Sequence, residues 1–530
     1  MSISRLLALT INKFKSIYEE TRVEFGMLTV FIGKNNSGKS TITQTLLLLQ
    51  QTITLARVET RLNLDGYVTA LNLRELTSGW PDSDGGLVEG PRFSIEWSSQ
   101  VDIAVALENS GSPDLGTLMS GASLPWLSVA QDKKIDIFTR MDLAFSDLKG
   151  KVVLDYIELS SSLNSDFSNE SSLEAKVRIE KNSEGWFDAK WNGRPQKKME
   201  VGIHHFIPSL SINRRNVGPR DSQRSLATAF NILFAQPLDD LEALLKGFSY
   251  LSSTRGLPPA YYAPASSTGD DMGISGEFAA QLLYSHKDDP VHYFLPDFDD
   301  INKEFHFKEK TLPEAVNEVL LGLGIETPLS IHEIEKVGFR LLFGNSTLNH
   351  VGRGLTYLLP IVQLGLFSDP KKFSYLEKGD RSYGDGLAKL CAFEEPESHL
   401  HPKVQSRLAS WFVALARARR QVIVETHSDH LVRRLRSLLA QSSINSPIEI
   451  WLMDNIKIVS VSQENGRTRV ESSGISRDGG MEVWPVDFMD AAVEGEKSIY
   501  YSALEKDDPE TLSSDFSVTH EVEDEPNAGN

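Results

Sequence analysis

At 530 residues, with 40% hydrophobic and 24% charged side chains, the chain has the composition of a folded globular protein, so disorder is not the expectation. Its formal net charge of −19 excludes coating of nucleic acid through bulk charge, which needs concentrated Lys and Arg. A single cysteine, Cys391, excludes an intramolecular disulfide and a cysteine-built zinc cage, and no apolar run approaches the roughly 20 residues that span a bilayer; a cytoplasmic protein that does not enter the membrane is expected.

Taken in chain order, Met1 to Thr10 reads as a first strand. It carries Arg5 and runs into Asn12, Lys13 and Lys15 without the small-residue cleavage site of a signal peptide. Leu6 to Ile11 and Leu28 to Ile32 are two short β-runs, the second feeding a Gly-rich loop and then a helix from about Lys39 to Thr52. From Leu64 to about Phe206 come β-type segments such as Phe93 to Trp97, Ile157 to Leu159 and Ala175 to Ile179, divided by Ser, Asn, Asp and Gly clusters, which predict an antiparallel subdomain. Apolar residues recur at helical spacing between Leu226 and Leu251 (Leu241, Leu244, Leu245, Phe248) and near Leu312 to Leu323, with a Gly/Pro/Ser-rich break from Gly256 to Gly273. Heptads are nowhere sustained over the three or four repeats of a long coiled coil. After Val351 the pattern runs helix, strand, helix, strand, helix to near Leu439, the alternation of a parallel α/β sheet. From about Glu505 the chain is acidic and too poor in apolar residues to offset ordering entropy, the mark of a disordered tail. The expected divisions are 1–206, 207–350, 351–445, 446–504 and 505–530.

Gly33-Lys34-Asn35-Asn36-Ser37-Gly38-Lys39-Ser40 lies between a strand and a helix, the context that marks a phosphate-binding loop. Gly33 and Gly38 let backbone N–H groups approach phosphates, and the helix that starts there adds partial positive charge. The expected nucleotide contacts are Gly33, Asn35, Asn36, Ser37, Gly38, Lys39, Ser40 and Thr41. Lys39 would reach the β- and γ-phosphates and the Ser40 hydroxyl would ligand Mg²⁺. Leu387 to Glu397 is a mostly apolar strand ending in carboxylates, and in a parallel sheet ligands bind at that end. Glu394 is expected to hold Mg²⁺ through water, and Glu395 to orient the attacking water and accept its proton. Taken alone, two such glutamates also read as solvated surface; the loop decides between the two. Gln421 to Ser428 is another β-branched strand, whose terminal His427 would reach a γ-phosphate. His399, His401 and His430 lie nearby in sequence, yet no cysteine or H-E-x-x-H spacing supports a metal other than Mg²⁺.

Roughly 350 residues separate Lys39 from Glu394, far more than in small GTPases or AAA+ motors, and no Asn-Lys-x-Asp motif for guanine is present. This order resembles the ABC-type ATPases of the SMC and RecF class, and more closely the prokaryotic AAA-type ATPases that include OLD-like proteins and the group with a C-terminal DUF3696 domain. Leu9 to Ser16 is similar to that family's opening strand and turn, Glu394 to Pro402 to its Walker B and D-loop, and Thr426 to His430 to its switch-histidine segment. Val351 to Pro360 looks like its degenerate signature motif, with Gly352, Gly354 and, where Ser is more usual, Thr356; either hydroxyl can donate to a phosphate. Tyr250 to Tyr262, with Arg255-Gly256 and Pro258-Pro259, and Trp484 to Asp490, similar to the DUF3696 signature, extend the resemblance. The fold class it implies is α/β: an ABC-type ATPase head with a phosphate-loop parallel sheet, an antiparallel β subdomain, a helical insertion and no long coiled coil. It also implies ATP and Mg²⁺ as cofactors and a homodimer or higher homo-oligomer, the signature of one copy closing on ATP held by the other. The family's Q-loop glutamine has no evident counterpart, since Gln50 and Gln51 lie on the first helix and not after a later strand. Relatives of this architecture occur in anti-phage systems, Septu-like or retron-associated, beside a separate effector such as an HNH nuclease.

An OLD-like nuclease would need a Toprim domain. Val493-Glu494-Gly495-Glu496 resembles the acidic start of one, but only about 35 residues follow, too few for that fold. Arg417, Arg419, Arg420, Arg433, Arg434 and Arg436 read either as solvated helix faces or as a local basic patch for nucleic acid or an acidic partner. An ATP-gated scaffold with negligible turnover is the main rival to a hydrolase.

Overall fold

The loop strand Leu28–Ile32 is buried along its whole length, as is Arg420–Thr426, and Lys389–Glu394 nearly so. Continuous apolar runs of this kind belong to strands covered on both faces. In the computed structural model they lie in one six-stranded sheet, in the order Ser249–Leu251, Lys389–Glu394, Arg420–Thr426, Leu28–Ile32, Ile456–Glu464, Arg467–Ser473. The first five are parallel, and the last returns antiparallel as a hairpin. Register sets Glu394 beside Glu425, and Thr426 beside Ile32, the residue before Gly33. The structure describes residues 4–481 except 81–86, 111–133, 166, 168–172, 183–184, 197–198, 213–221, 264–270, 304 and 370–387. The chain divides into two compact units, Met1–Trp484 and Pro485–Asn530. The Trp484 to Asp490 motif, Val493 to Glu496 and the acidic tail lie outside the described residues.

The second large sheet has eight strands and is antiparallel: Arg5–Asn12 pairs with Thr21–Glu24 on one side and Leu87–Asp102 on the other, and Lys134–Leu148, Lys151–Ser162, Leu173–Lys181, Phe187–Trp191 and Arg194–Pro195 continue it. Burial alternates along Leu173–Lys181 as expected of a strand with one face on the core. The first helix, Lys39–Ile53, is buried almost all round. Its Leu46 to Leu49 share a core with Leu9 and Phe93 of the antiparallel sheet and with Ile423 and Val459 of the parallel one. A helix apolar on every side belongs between two layers, and here the layers are the two sheets.

The periodic run Leu226 to Leu251 resolves into helix Ser222–Phe230, a π-helical turn Asn231–Ala235, helix Gln236–Lys246, and then an edge strand of the parallel sheet, Ser249–Leu251. The stretch 207–350 also holds helix Leu312–Leu323, started by a Thr311/Glu314 capping box and ended by left-handed Gly324. Beside these helices stand a hairpin, Pro290–Leu295 with His306–Thr311, and a small sheet of Leu329–Ile334, Gly338–Phe343 and Ser346–Thr347. Among the described residues the longest helix, Pro402–Arg417, has 16 residues, and none is long and apolar enough to cross a membrane.

Candidate functional site

The loop is shaped by close approaches. Gly33 has φ +149°, and a Cβ there would sit 2.0 Å from the Val461 carbonyl oxygen; at Gly38, φ +101°, it would sit 2.1 Å from the Thr468 hydroxyl. Only glycine fits either place. The Thr468 hydroxyl also donates to the Ser37 carbonyl at 3.0 Å, so the C-terminal hairpin braces the loop. Asn35 and Asn36 are exposed, and Asn36 is left-handed at φ 61°. Thr41 is buried, its hydroxyl 3.3 Å from that of Ser16. Lys39 is buried and donates to the Gly33 and Lys34 carbonyls at 3.0 and 2.8 Å. Burial lowers its pKa, opposed by Glu425 and then by Glu395, Glu397 and Glu394. The Ser37 hydroxyl is buried without a hydrogen-bond partner, a donor left inside a loop already suited to phosphate.

Ser40 stands between two carboxylates, 3.0 Å from Glu394 Oε1 and 2.8 Å from Glu425 Oε2. A hydroxyl has one proton to give, so both contacts are satisfied together only when a carboxylate is itself protonated. Glu425 is the candidate: fully buried, and beside Glu394, it is pushed from 4.5 up to about 7, while the hydroxyls of Thr43 and Ser40 pull it down. Glu394 is held further by the Tyr250 hydroxyl at 2.6 Å and the Ser253 N–H at 3.1 Å on Oε2, and by Arg255 on its backbone carbonyl at 3.1 Å. These come from the edge strand and the turn after it, which reads Ser252-Ser253-Thr254-Arg255 and contains no glutamine. Glu395 follows with φ 43°, its N–H on the Glu425 carbonyl and its carboxylate 3.8 Å from His427 Nε2. Burial first, then Lys39, lowers the His427 pKa below 6.5, so the imidazole is neutral at pH 7 and able to accept or donate.

The Gly352-to-Thr356 turn starts helix Arg353–Phe367, with Gly352 as its N-cap. A side chain at Gly352 would meet nothing within 4 Å, whereas one at Gly354 would press on the His399 carbonyl at 2.9 Å. The Thr356 hydroxyl donates to the Arg353 carbonyl of its own helix at 2.8 Å. His399 packs its ring on Tyr357, and His401 caps helix Pro402–Arg417. Most of the arginine cluster is engaged internally. Arg420 is buried on the carbonyls of Gly365, Leu366, His292 and Ala418, Arg434 holds Phe298 and Ser410, and Arg436 holds Gly479. Arg417 lies over Phe305, and Arg433 pairs with Asp429. These contacts favour the structural reading of the cluster over a nucleic-acid patch.

Among the described residues no group of three or more His, Cys, Asp and Glu could hold a metal on its own. A hydroxyl with carboxylates behind it nevertheless suits Mg²⁺, which keeps several waters and takes its remaining ligands from phosphates. A cavity of about 870 Å³ lies at the amino-terminal ends of the Ser249 and Lys389 strands; Tyr250 lines it, but none of the loop residues or of Glu394, Glu395, Glu425 and His427 does.

A glycine-shaped loop, a buried lysine and strand-end carboxylates in register define a phosphate-loop nucleotide-binding core. Residues 1–79, which hold the loop, match a family model described as "AAA ATPase domain". Residues 344–433, which hold Gly352 to Thr356, Glu394, Glu395 and His427, match one described as "AAA domain, putative AbiEii toxin, Type IV TA system". The two parts of the site are thus each similar to AAA-type ATPase domains. Among solved structures the chain is similar to an SMC head bound to the C-winged helix domain of ScpA, at 12% identity, 89% of this chain and 98% of that one, with TM-score 0.36. It is also similar to the SMC head domain from Thermotoga maritima (11%, 88% and 98%, TM-score 0.32), and to an Smc head with an extended coiled coil bound to the C-terminal domain of ScpA, derived from Pyrococcus furiosus (11%, 94% and 100%, TM-score 0.33). No curated protein matches the chain.

Proposed function

We propose that this chain binds ATP with Mg²⁺ and hydrolyses it in sites shared between two copies. The observation that carries the reading is the meeting of Ser40, Glu394, Glu395 and His427 with the loop, at the carboxyl ends of three adjacent parallel strands. Lys39 and the loop N–H groups would hold the β- and γ-phosphates. Ser40 and Glu394 would hold Mg²⁺, directly or through water, and that ion would supply charge neutralisation at the phosphates. Glu395 would take the proton of the attacking water, with neutral His427 keeping that water in place. Gly352 to Thr356, open at Gly352, is the surface proposed to close on a second copy's nucleotide in a two-fold pair.

The wider reading is a cytoplasmic nucleotide-gated switch acting on a separate effector, such as an HNH nuclease, in anti-phage defence. It rests on the sequence resemblance alone. Steady-state ATP turnover with and without Mg²⁺ tests the central claim. Mg²⁺-dependent turnover that Lys39→Ala abolishes is expected. ATP binding without turnover would replace the hydrolase by a nucleotide-gated scaffold, and no ATP binding would overturn both.

A further inference from the structure

Two buried groups of opposite charge flank Glu395, and each has capacity left over. Arg255 is 4% exposed; its Nη2 donates to the Glu394 carbonyl at 3.1 Å, while Nε and Nη1 have no hydrogen-bond partner. Glu397 is 9% exposed; its Oε1 accepts the His427 N–H at 2.7 Å, while Oε2 has no partner. Burial brings the arginine cation down to about 10, opposed by Tyr357 and then by Glu397, Glu394 and Glu395; burial raises the Glu397 carboxyl, opposed by hydrogen bonding from the His427 N–H and the Thr426 hydroxyl.

An arginine fork with two idle N–H groups and a carboxylate with an idle oxygen are complementary, and leaving either unpaired inside a protein is costly. The backbone between them is also unusual. Glu395 (φ 43°) and His399 (φ 63°) are both left-handed non-glycine residues, and they bracket Glu397. Positions of this kind are held in place by their surroundings and cluster at active sites and switch segments. Both ends of this turn reach the helix of the Gly352 turn: the guanidinium lies 5.3 Å from the Tyr357 ring, and Tyr357 meets His399 edge-on.

We infer that Arg255 is a positioning residue for hydrolysis, which receives the Glu397 carboxylate when the 395–399 turn closes on bound nucleotide. The pair then clamps the Glu394-to-Glu397 turn at both ends and fixes the stance of Glu395. Arg255 touches no phosphate in this account, which rests on the ATPase reading above.

The test is a double-mutant cycle in the full-length chain: Arg255→Ala, Glu397→Gln and both together, with kcat and ATP Kd measured separately. Each single change should lower kcat by about 10- to 100-fold, the range for groups that orient a ligand or base, and leave ATP Kd within about threefold. The double variant should be no slower than the slower single one. Arg255→Lys should fail to rescue, because an ammonium cannot bridge a carbonyl and a carboxylate as a planar fork does. Losses that multiply, a fully active Arg255→Lys, or an ATP Kd that worsens as much as kcat would overturn the assignment. Should Arg255→Ala not fold, Glu397→Gln stands alone, and wild-type kcat in that variant overturns it equally. If the wild-type chain binds ATP without turning it over, the ATPase reading is what has failed. The same cycle is then read on ATP-induced thermal stabilisation, where non-additive losses support the clamp and additive ones refute it.

Discussion

Replacing Glu425 by glutamine isolates the most perturbed carboxyl at the Ser40 site. Its pKa stands at about 7 against an ordinary 4.5, raised first by burial and second by the charge of Glu394. A carboxyl with a raised folded-state pKa holds its proton more tightly folded than unfolded. Its contribution to stability is therefore complete below about pH 4.5 and is lost as pH rises through about 7. At about 1.4 kcal/mol per pH unit, the loss between pH 5 and 8 comes to about 2 to 3 kcal/mol. Glutamine stays neutral throughout, keeps one oxygen for the Thr43 hydroxyl, and puts an N–H donor against the Ser40 oxygen, which leaves the Ser40 proton for Glu394. Urea unfolding of nucleotide-free protein should find Glu425→Gln close to wild type at pH 5 and more stable by about 2 to 3 kcal/mol at pH 8. Other raised carboxyls, Glu397 and Asp240 among them, titrate in both proteins and cancel. Two pH profiles that run parallel would refute the reasoning.

Lys39→Ala should remove ATP binding along with turnover, and an affinity unchanged within about twofold by calorimetry would count against the loop's role. Glu395→Gln spares Glu394 and Ser40 but removes the proton acceptor, a loss of roughly 10²- to 10⁴-fold in turnover; sedimentation with ATP should then show more dimer than without. Gly33→Ala drives a methyl into the Val461 carbonyl and should lower both the melting temperature and ATP binding, while Gly352→Ala should leave the melting temperature unchanged. Because a side chain at Gly352 meets nothing in its own chain, Gly352→Arg is a clean lesion of the proposed shared surface. Mixed with Lys39→Ala chains, it should restore up to about a quarter of wild-type turnover; no recovery in demonstrably mixed dimers would argue against shared sites.

Much of this was legible because neighbouring residues declared it. The loop, the Glu394 strand and the His427 strand each carry their chemistry at the end of an apolar run, and helix Leu312–Leu323 matches its periodicity and cap. Tyr250 and Arg255 give no local sign of the site: about 140 residues separate them from Glu394, Tyr250 lies on a strand of only three residues, too few to show a period of two, and Arg255 lies in the turn after it. The sequence signal for Glu425 is a carboxylate within the β-branched run before His427, and its place one strand over from Glu394 is visible only in the sheet. The bracing of the loop by Val461 and Thr468 left no local trace, since close packing between distant segments has no spacing to read. The arginines read as solvated helix faces or as an open basic patch, and the carbonyl, ring and carboxylate contacts of five of them, with Arg420 buried on a strand, speak against the patch.

The position of the loop strand in its sheet has a consequence for how the protein is made. Leu28–Ile32 leaves the ribosome well ahead of both its neighbours, Arg420–Thr426 and Ile456–Glu464, which arrive some 400 residues later. Until they do, its backbone donors and acceptors have no sheet to join, and the loop lacks the Val461 and Thr468 contacts that shape it. The loop thus takes its shape only after those distant strands are added, a non-local step of the kind that folds slowly. A chain broken off before residue 456 would carry the phosphate-loop sequence without a formed phosphate loop, and so could not compete with intact copies for nucleotide.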